Sequence, residues 1–125
     1  MSDHPNAARY RTMMQAAQDG PTEGFADAIA DDVVWWEIGA TEPIRGKAAL
    51  INRMQDWDAY GISAELHDVV SNDDHLIALL NVTANRDGEP FTYQTAEIMH
   101  INAAGQVTER WAFSGDTAAI VAYFS

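Results

Sequence analysis

HLIALLNVTANRDGEPFTYQTAEIMHIN, residues 75 to 102, reads as two long strands folded back on each other. Both arms carry the β-branched and aromatic residues that pack well on a pleated surface. The NRDGEP between them supplies the Asn, Asp and Gly that tight hairpin turns demand, because such turns place their central residues at positive φ. Strands are therefore expected over His75–Arg86 and Pro90–Asn102. The same signals extend outward: SNDD joins a strand over Ser63–Ser71, and NAAGQ leads into one over Gln106–Ser114. Four strands with short connections make an antiparallel meander.

The first half of the chain has a different rhythm. Pro5 suits the first turn of a helix, and Ala8, Tyr10, Met13, Met14 and Ala17 recur at helical spacing until Gly20-Pro21 stops it. Thr22 is placed to cap a second, short helix through Ala30, with Phe25, Ala26 and Ile29 facing inward. Val33–Ile38 is a strand, and GATEPIRG after it is a loop. Lys47–Trp57 returns to helical spacing through Leu50, Ile51, Met54 and Trp57. Asp116 caps a last helix through Tyr123. Helices and one strand followed by a meander argue an α+β fold, with helices packed on one sheet face. With no internal repeat or low-complexity segment, residues 1–125 read as a single domain.

Composition narrows the function. The chain has 125 residues, 47% of them hydrophobic, and no run of about 18 apolar residues, so it holds a core but no membrane span. The N-terminal MSDHPNAARYR lacks the apolar stretch of a secretory leader and there is no cysteine, which together point to the cytoplasm and exclude thiolate chemistry. Nineteen acidic residues face seven basic ones, Lys47 being the only lysine, for a formal net charge of -12. Nucleic acid and anionic membranes are excluded as partners, because the electrostatic term that dominates such binding would repel. The simplest reading of the charge is a solubilising surface; steering of cationic ligands is the alternative. His4, His67, His75 and His100 show no metal-ligand spacing, and no phosphate loop, nucleophile elbow or dinucleotide fingerprint is present. No metal and no cofactor is expected.

Two carboxylates stand out. Glu37 ends the Trp-rich run ADDVVWWE, where Trp35 shares its strand parity and Trp36 does not. A carboxylate partly desolvated beside an apolar substrate is suited to proton transfer. The alternative is a surface ion pair with Arg45 across the loop, of little consequence. If Glu97 points inward, so do Tyr93, Thr95 and Met99, while Ile98 and His100 point away. In that company a carboxyl loses hydration, which favours its neutral, hydrogen-bond-donating form; in the opposite register it lies on a wet face. Tyr10, one turn before Met13, and Tyr93 could each supply a hydroxyl, or could be core residues with the hydroxyl at the rim. Met13, Met14, Phe25, Met54 and Trp57 would form an apolar lining or simply a core.

The long first helix, the phrase FADAIADDVVW, the P-x-x-G-x-x-A of PIRGKAA and the late strand pair HINAAGQVTERWAF resemble the nuclear transport factor 2-like superfamily, in particular its SnoaL-like and ketosteroid-isomerase-related members. The resemblance runs from about Ala8 to Phe124. It implies a cone-shaped, curved antiparallel or mixed sheet wrapped on N-terminal helices. ADDVVWWEIGATEPIRG aligns without a gap with the steroid isomerases: Glu37 falls at their proton-shuttling carboxylate and Glu97 at the protonated acid of their oxyanion hole. Met13 stands where they carry a tyrosine. The implied activity is cofactor-free isomerisation, cyclisation or elimination on a small apolar carbonyl-bearing molecule, with Glu37 as base and with Glu97 and either Tyr10 or Tyr93 donating hydrogen bonds to the developing oxyanion. The implied substrate contacts are Met13, Met14, Trp36, Met54, Trp57, Leu80, Val82, Thr95, Arg110, Ala112 and Ser114. Two rivals use the same cone: a non-catalytic module that binds an apolar ligand, and water activation as in epoxide-hydrolase relatives, begun here by Glu97 and Arg110. Relatives commonly pair through the convex sheet face, so a homodimer is expected.

Overall fold

The structure, a computed structural model, describes residues 4–17, 26–58 and 60–124. Its elements run α1 Pro5–Ala17, β1 Ile29–Trp35, β2 Ile44–Arg45, α2 Lys47–Asp58, β3 Ser63–Ser71, β4 His75–Arg86, β5 Glu89–Ile101, β6 Val107–Phe113 and α3 Thr117–Phe124. The strands form one mixed sheet in the order β2-β1-β6-β5-β4-β3. Strands β3 to β6 are the antiparallel meander, whereas β1 lies parallel to β6 and carries the two-residue β2 antiparallel on its other edge.

The turn between β4 and β5 explains the long hairpin. Asp87 and Gly88 both adopt positive φ, 54° and 82°, and the Asn85 side chain accepts the Gly88 N–H at 3.1 Å. From there pairing continues from Arg86–Glu89 to His75–His100 without a shift in register. Along β4, Leu76, Ala78, Leu80, Val82 and Ala84 are buried on one face, while Ile77 and Leu79 are exposed on the other. Helices α1 and α2 cover the buried face, bringing Ala7, Tyr10 and Leu50 against Val33, Val69, Leu80 and Met99.

Several sequence expectations shift. Ile29 and Ala30, read as the end of a helix, open β1, because Ile29 pairs with Val107 and Val107 N–H donates to the Ala28 carbonyl at 2.9 Å. Thr22 and Phe25 lie outside the described residues. Strand β1 ends at Trp35 rather than Ile38; Trp36 N–H still reaches the Arg110 carbonyl at 2.8 Å, after which Ala40 N–H closes a turn on Glu37. The loop GATEPIRG contains β2. Ala7, not Ala8, faces inward on α1, and Ile51 is exposed on α2. Asp116 caps α3 as expected, accepting the Ala119 N–H at 3.0 Å.

Candidate active site

The helices do not fill the space above the sheet. A cavity of about 480 Å³ remains, walled by α1 through Tyr10, Met13 and Met14, by α2 through Arg53, Met54 and Trp57, and by the sheet through Leu80, Val82, Tyr93, Thr95, Glu97, Met99 and Arg110. Glu37 and the turn after it, with Ile120, Val121 and Phe124 of α3, complete the wall. Three residues expected at the substrate lie elsewhere. Trp35, not Trp36, lines the cavity, because β1 alternates and Val33 and Trp35 occupy its buried face. Ala112 is buried opposite Glu97 in the sheet, but its methyl group does not reach the cavity wall. Ser114 lies beyond the end of β6 and donates to the Gln94 carbonyl at 2.6 Å.

Glu97 lies on the sheet wall, 9% exposed, and its partners decide its character. Arg110 Nε donates to Oε1 at 3.0 Å and Nη2 to the same oxygen, while the Tyr10 hydroxyl donates to Oε2 at 3.2 Å. Arg110 Nη1 donates to the Trp36 carbonyl at 2.9 Å, and the guanidinium lies 4.5 Å from the Trp35 ring centre. Glu97 is thus held in a buried pair with Arg110, the pairing from which the water-activation alternative starts; a charge so placed is costly to leave without its partner. Burial, and after it the charge and hydrogen bond of Glu97, push the Tyr10 phenol well above its usual range against the opposite pull of Arg110. Tyr10 therefore keeps its proton and donates a hydrogen bond to Glu97.

Glu37 is organised differently. Its partner is Arg53, not Arg45: Arg53 Nε donates to Oε1 at 3.1 Å and Oε2 at 3.2 Å, and Trp57 Nε1 donates to Oε2 at 3.0 Å. The Glu37 side chain is 29% exposed and that of Arg53 37%, so this pair meets solvent where the Glu97 pair does not. Arg53 Nη1 also binds Asp56 at 3.3 Å. Burial alone would lower the Arg53 pKa, but its bonds to Glu37 and Asp56 more than offset this and the net shift is upward. Sequence reasoning missed Arg53, although Leu50, Arg53 and Trp57 follow one another at helical spacing of three and four and share a face.

Two hydroxyls of the cavity wall lack partners among the described residues. Thr95 Oγ1 is buried with no hydrogen bond. Tyr93 packs between Phe91 and Phe124, and burial raises its pKa, with Arg110 pulling it down and Glu97 pushing it up. Among the described residues no cluster of three or more histidine or carboxylate side chains could hold a metal ion.

The profile of the SnoaL-like domain family matches residues 10–110. Bal32a, from a soil-derived mobile gene cassette, superposes with a TM-score of 0.83 at 18% identity over 96% of each chain. An NTF2-like protein of Burkholderia pseudomallei gives 0.81 at 16% identity over 100% of this chain and 99% of its own. TerC, crystallised with polyporic acid, gives 0.78 at 15% identity over 97% and 98%. A comparison with curated proteins finds no match.

Proposed function

Because the chain belongs to the SnoaL-like domain family and carries the nuclear transport factor 2-like fold, we propose that it is a cofactor-free acid/base enzyme acting on a small, largely apolar, carbonyl-bearing molecule. The observation that carries this reading is Glu37: a carboxylate on the wall of a largely apolar cavity, with both oxygens fixed by Arg53 and Trp57. Three donated hydrogen bonds leave lone-pair capacity on a carboxylate, enough to take a proton. Abstraction next to a carbonyl opens the way to isomerisation, cyclisation or elimination. Tyr93, whose hydroxyl has no partner among the described residues, orients the ligand. Tyr10 and Glu97 do not donate to it, since the phenol proton is committed to Glu97 and Glu97 accepts from Arg110. The crystallisation of TerC with polyporic acid supports a small-molecule ligand for this fold.

Glu37→Gln preserves shape and removes proton affinity, so turnover should fall roughly a hundredfold or more with ligand binding little changed. Equal turnover would end the assignment, and binding without turnover in either protein would make the domain a carrier.

The buried Glu97–Arg110 pair favours one second reading, water activation by Glu97. Running the reaction in ¹⁸O-labelled water separates the two, since hydrolysis places the label in product and isomerisation does not. We further propose that two copies pair through the outer sheet face, where Val70, Ile77, Leu79 and Phe113 are exposed.

A further inference from the structure

Proton abstraction creates a problem that Glu37 alone does not solve. When the C–H bond breaks, the proton passes to Glu37 and the electron pair moves onto the carbonyl oxygen, leaving an enolate in an apolar cavity. Two of the strongest donors on the wall are engaged, and Thr95, whose hydroxyl is free among the described residues, makes no bond to Glu37. The Tyr10 hydroxyl donates to Glu97, and all three Arg110 nitrogens are bonded, to Glu97 and to the Trp36 carbonyl. Tyr93 sits between Phe91 and Phe124 with Glu97 and Arg110, not Glu37, as its charged neighbours. Arg53 differs from them in touching the base: Nε holds Glu37, Nη1 holds Asp56, and Nη2, like the hydroxyls of Tyr93 and Thr95, has no partner among the described residues.

We infer that Arg53 is a second catalytic residue, whose Nη2 takes the reacting carbonyl oxygen while Nε holds the base. The inference rests on the reading of Glu37 as that base. In a guanidinium, Nε–H and one Nη2–H lie along the same edge of a rigid plane, so an oxygen bound at Nη2 sits beside the Glu37 carboxylate. That is the relation a carbonyl oxygen and the hydrogen on the adjacent carbon require. Charge is also matched: the ketone arrives neutral, and as the proton neutralises Glu37 the cation released from it faces the new enolate. The substrate class follows. It carries its ketone at the end that meets α2, with its apolar body directed toward Met54, Leu80 and Val82. The 29% exposure of Glu37 lets the captured proton exchange with solvent.

The test is deuterium incorporation next to the carbonyl of 2-tetralone in D₂O, which needs no co-reactant, read by NMR alongside the Kd from tryptophan quenching. The expected result is exchange by the wild-type protein, loss of it in Glu37→Gln, at least a fiftyfold fall in Arg53→Met with Kd within threefold, and partial recovery in Arg53→Lys. If Arg53 merely pairs with Glu37, the sign reverses: removing a cation makes the carboxylate a stronger base, and Arg53→Met exchanges as fast or faster. That result, with Glu37→Gln inactive, overturns the role of Arg53 and leaves Glu37 standing. Absence of exchange in the wild-type protein, or exchange surviving in Glu37→Gln, overturns both. Circular dichroism confirms folding of each variant, and Arg53→Gln is read under the same criteria in place of Arg53→Met if that variant is unfolded.

Discussion

Tyr10 shows how one hydroxyl on a helix is bound into both stability and site. Its bond to Glu97 links α1 to β5 across the cavity. Tyr10→Phe removes a hydrogen bond to a charged acceptor, and denaturant unfolding at pH 7 should show a loss of about 1.5 kcal/mol. The pH dependence has a definite sign. The folded-state phenol is raised above its unfolded value, so its contribution is fully present below about pH 10 and is lost as pH rises through the folded value. The alkaline fall in stability should therefore be shallower in Tyr10→Phe than in the wild-type protein, and parallel curves would refute the link. The two carboxylates on the cavity wall were singled out chiefly by the resemblance to the steroid isomerases, since strand parity and a Trp-rich context alone left their orientation open. Their partners were not, since Arg53 is sixteen residues from Glu37 and Arg110 thirteen from Glu97, and only the fold determines which cation each one meets.

At the scale of elements, the turn after β1 and helix α3 hold each other in place. Gly39 has φ of 76°, and a Cβ built there would clash with Val121 Cγ2 and lie 3.2 Å from Thr117 Cγ2. Gly39→Ala meets both a backbone penalty and a clash with α3, and should lower stability by at least about 2 kcal/mol. Val121→Ala in the same background removes the closer methyl but not the backbone penalty, so thermal melts should show about half the loss restored. The long hairpin of β4 and β5 was read within a residue of its bounds, because Asp-Gly fixes the turn and the turn fixes the register. The start of β1 was not legible. Ile29 and Ala30 carry no local mark of a strand, and their conformation follows from pairing with a segment near the other end of the chain.

Over the whole molecule, the net charge of -12 acts against the proposed pairing of two chains, since each copy repels the other. Salt screens that repulsion while leaving apolar contact intact. Sedimentation in about 20 mM and about 500 mM salt should show the dimer strengthened at the higher value, and Ile77→Glu should give a monomer in both. A salt-independent monomer would remove the dimer from consideration. The parallel pairing of β1 with β6 has a consequence in time as well as in space. Strands β3 to β6 meet their sequence neighbours and close short loops, whereas β1 finds β6 only after most of the intervening chain is in place. Glu97 and Arg110 belong to the early part, and Glu37 follows the strand that docks late. Pulse-labelled hydrogen exchange during refolding should protect β4 and β5 amides before those of β1, so the nascent protein passes through a stage with a formed ligand wall and no base beside it.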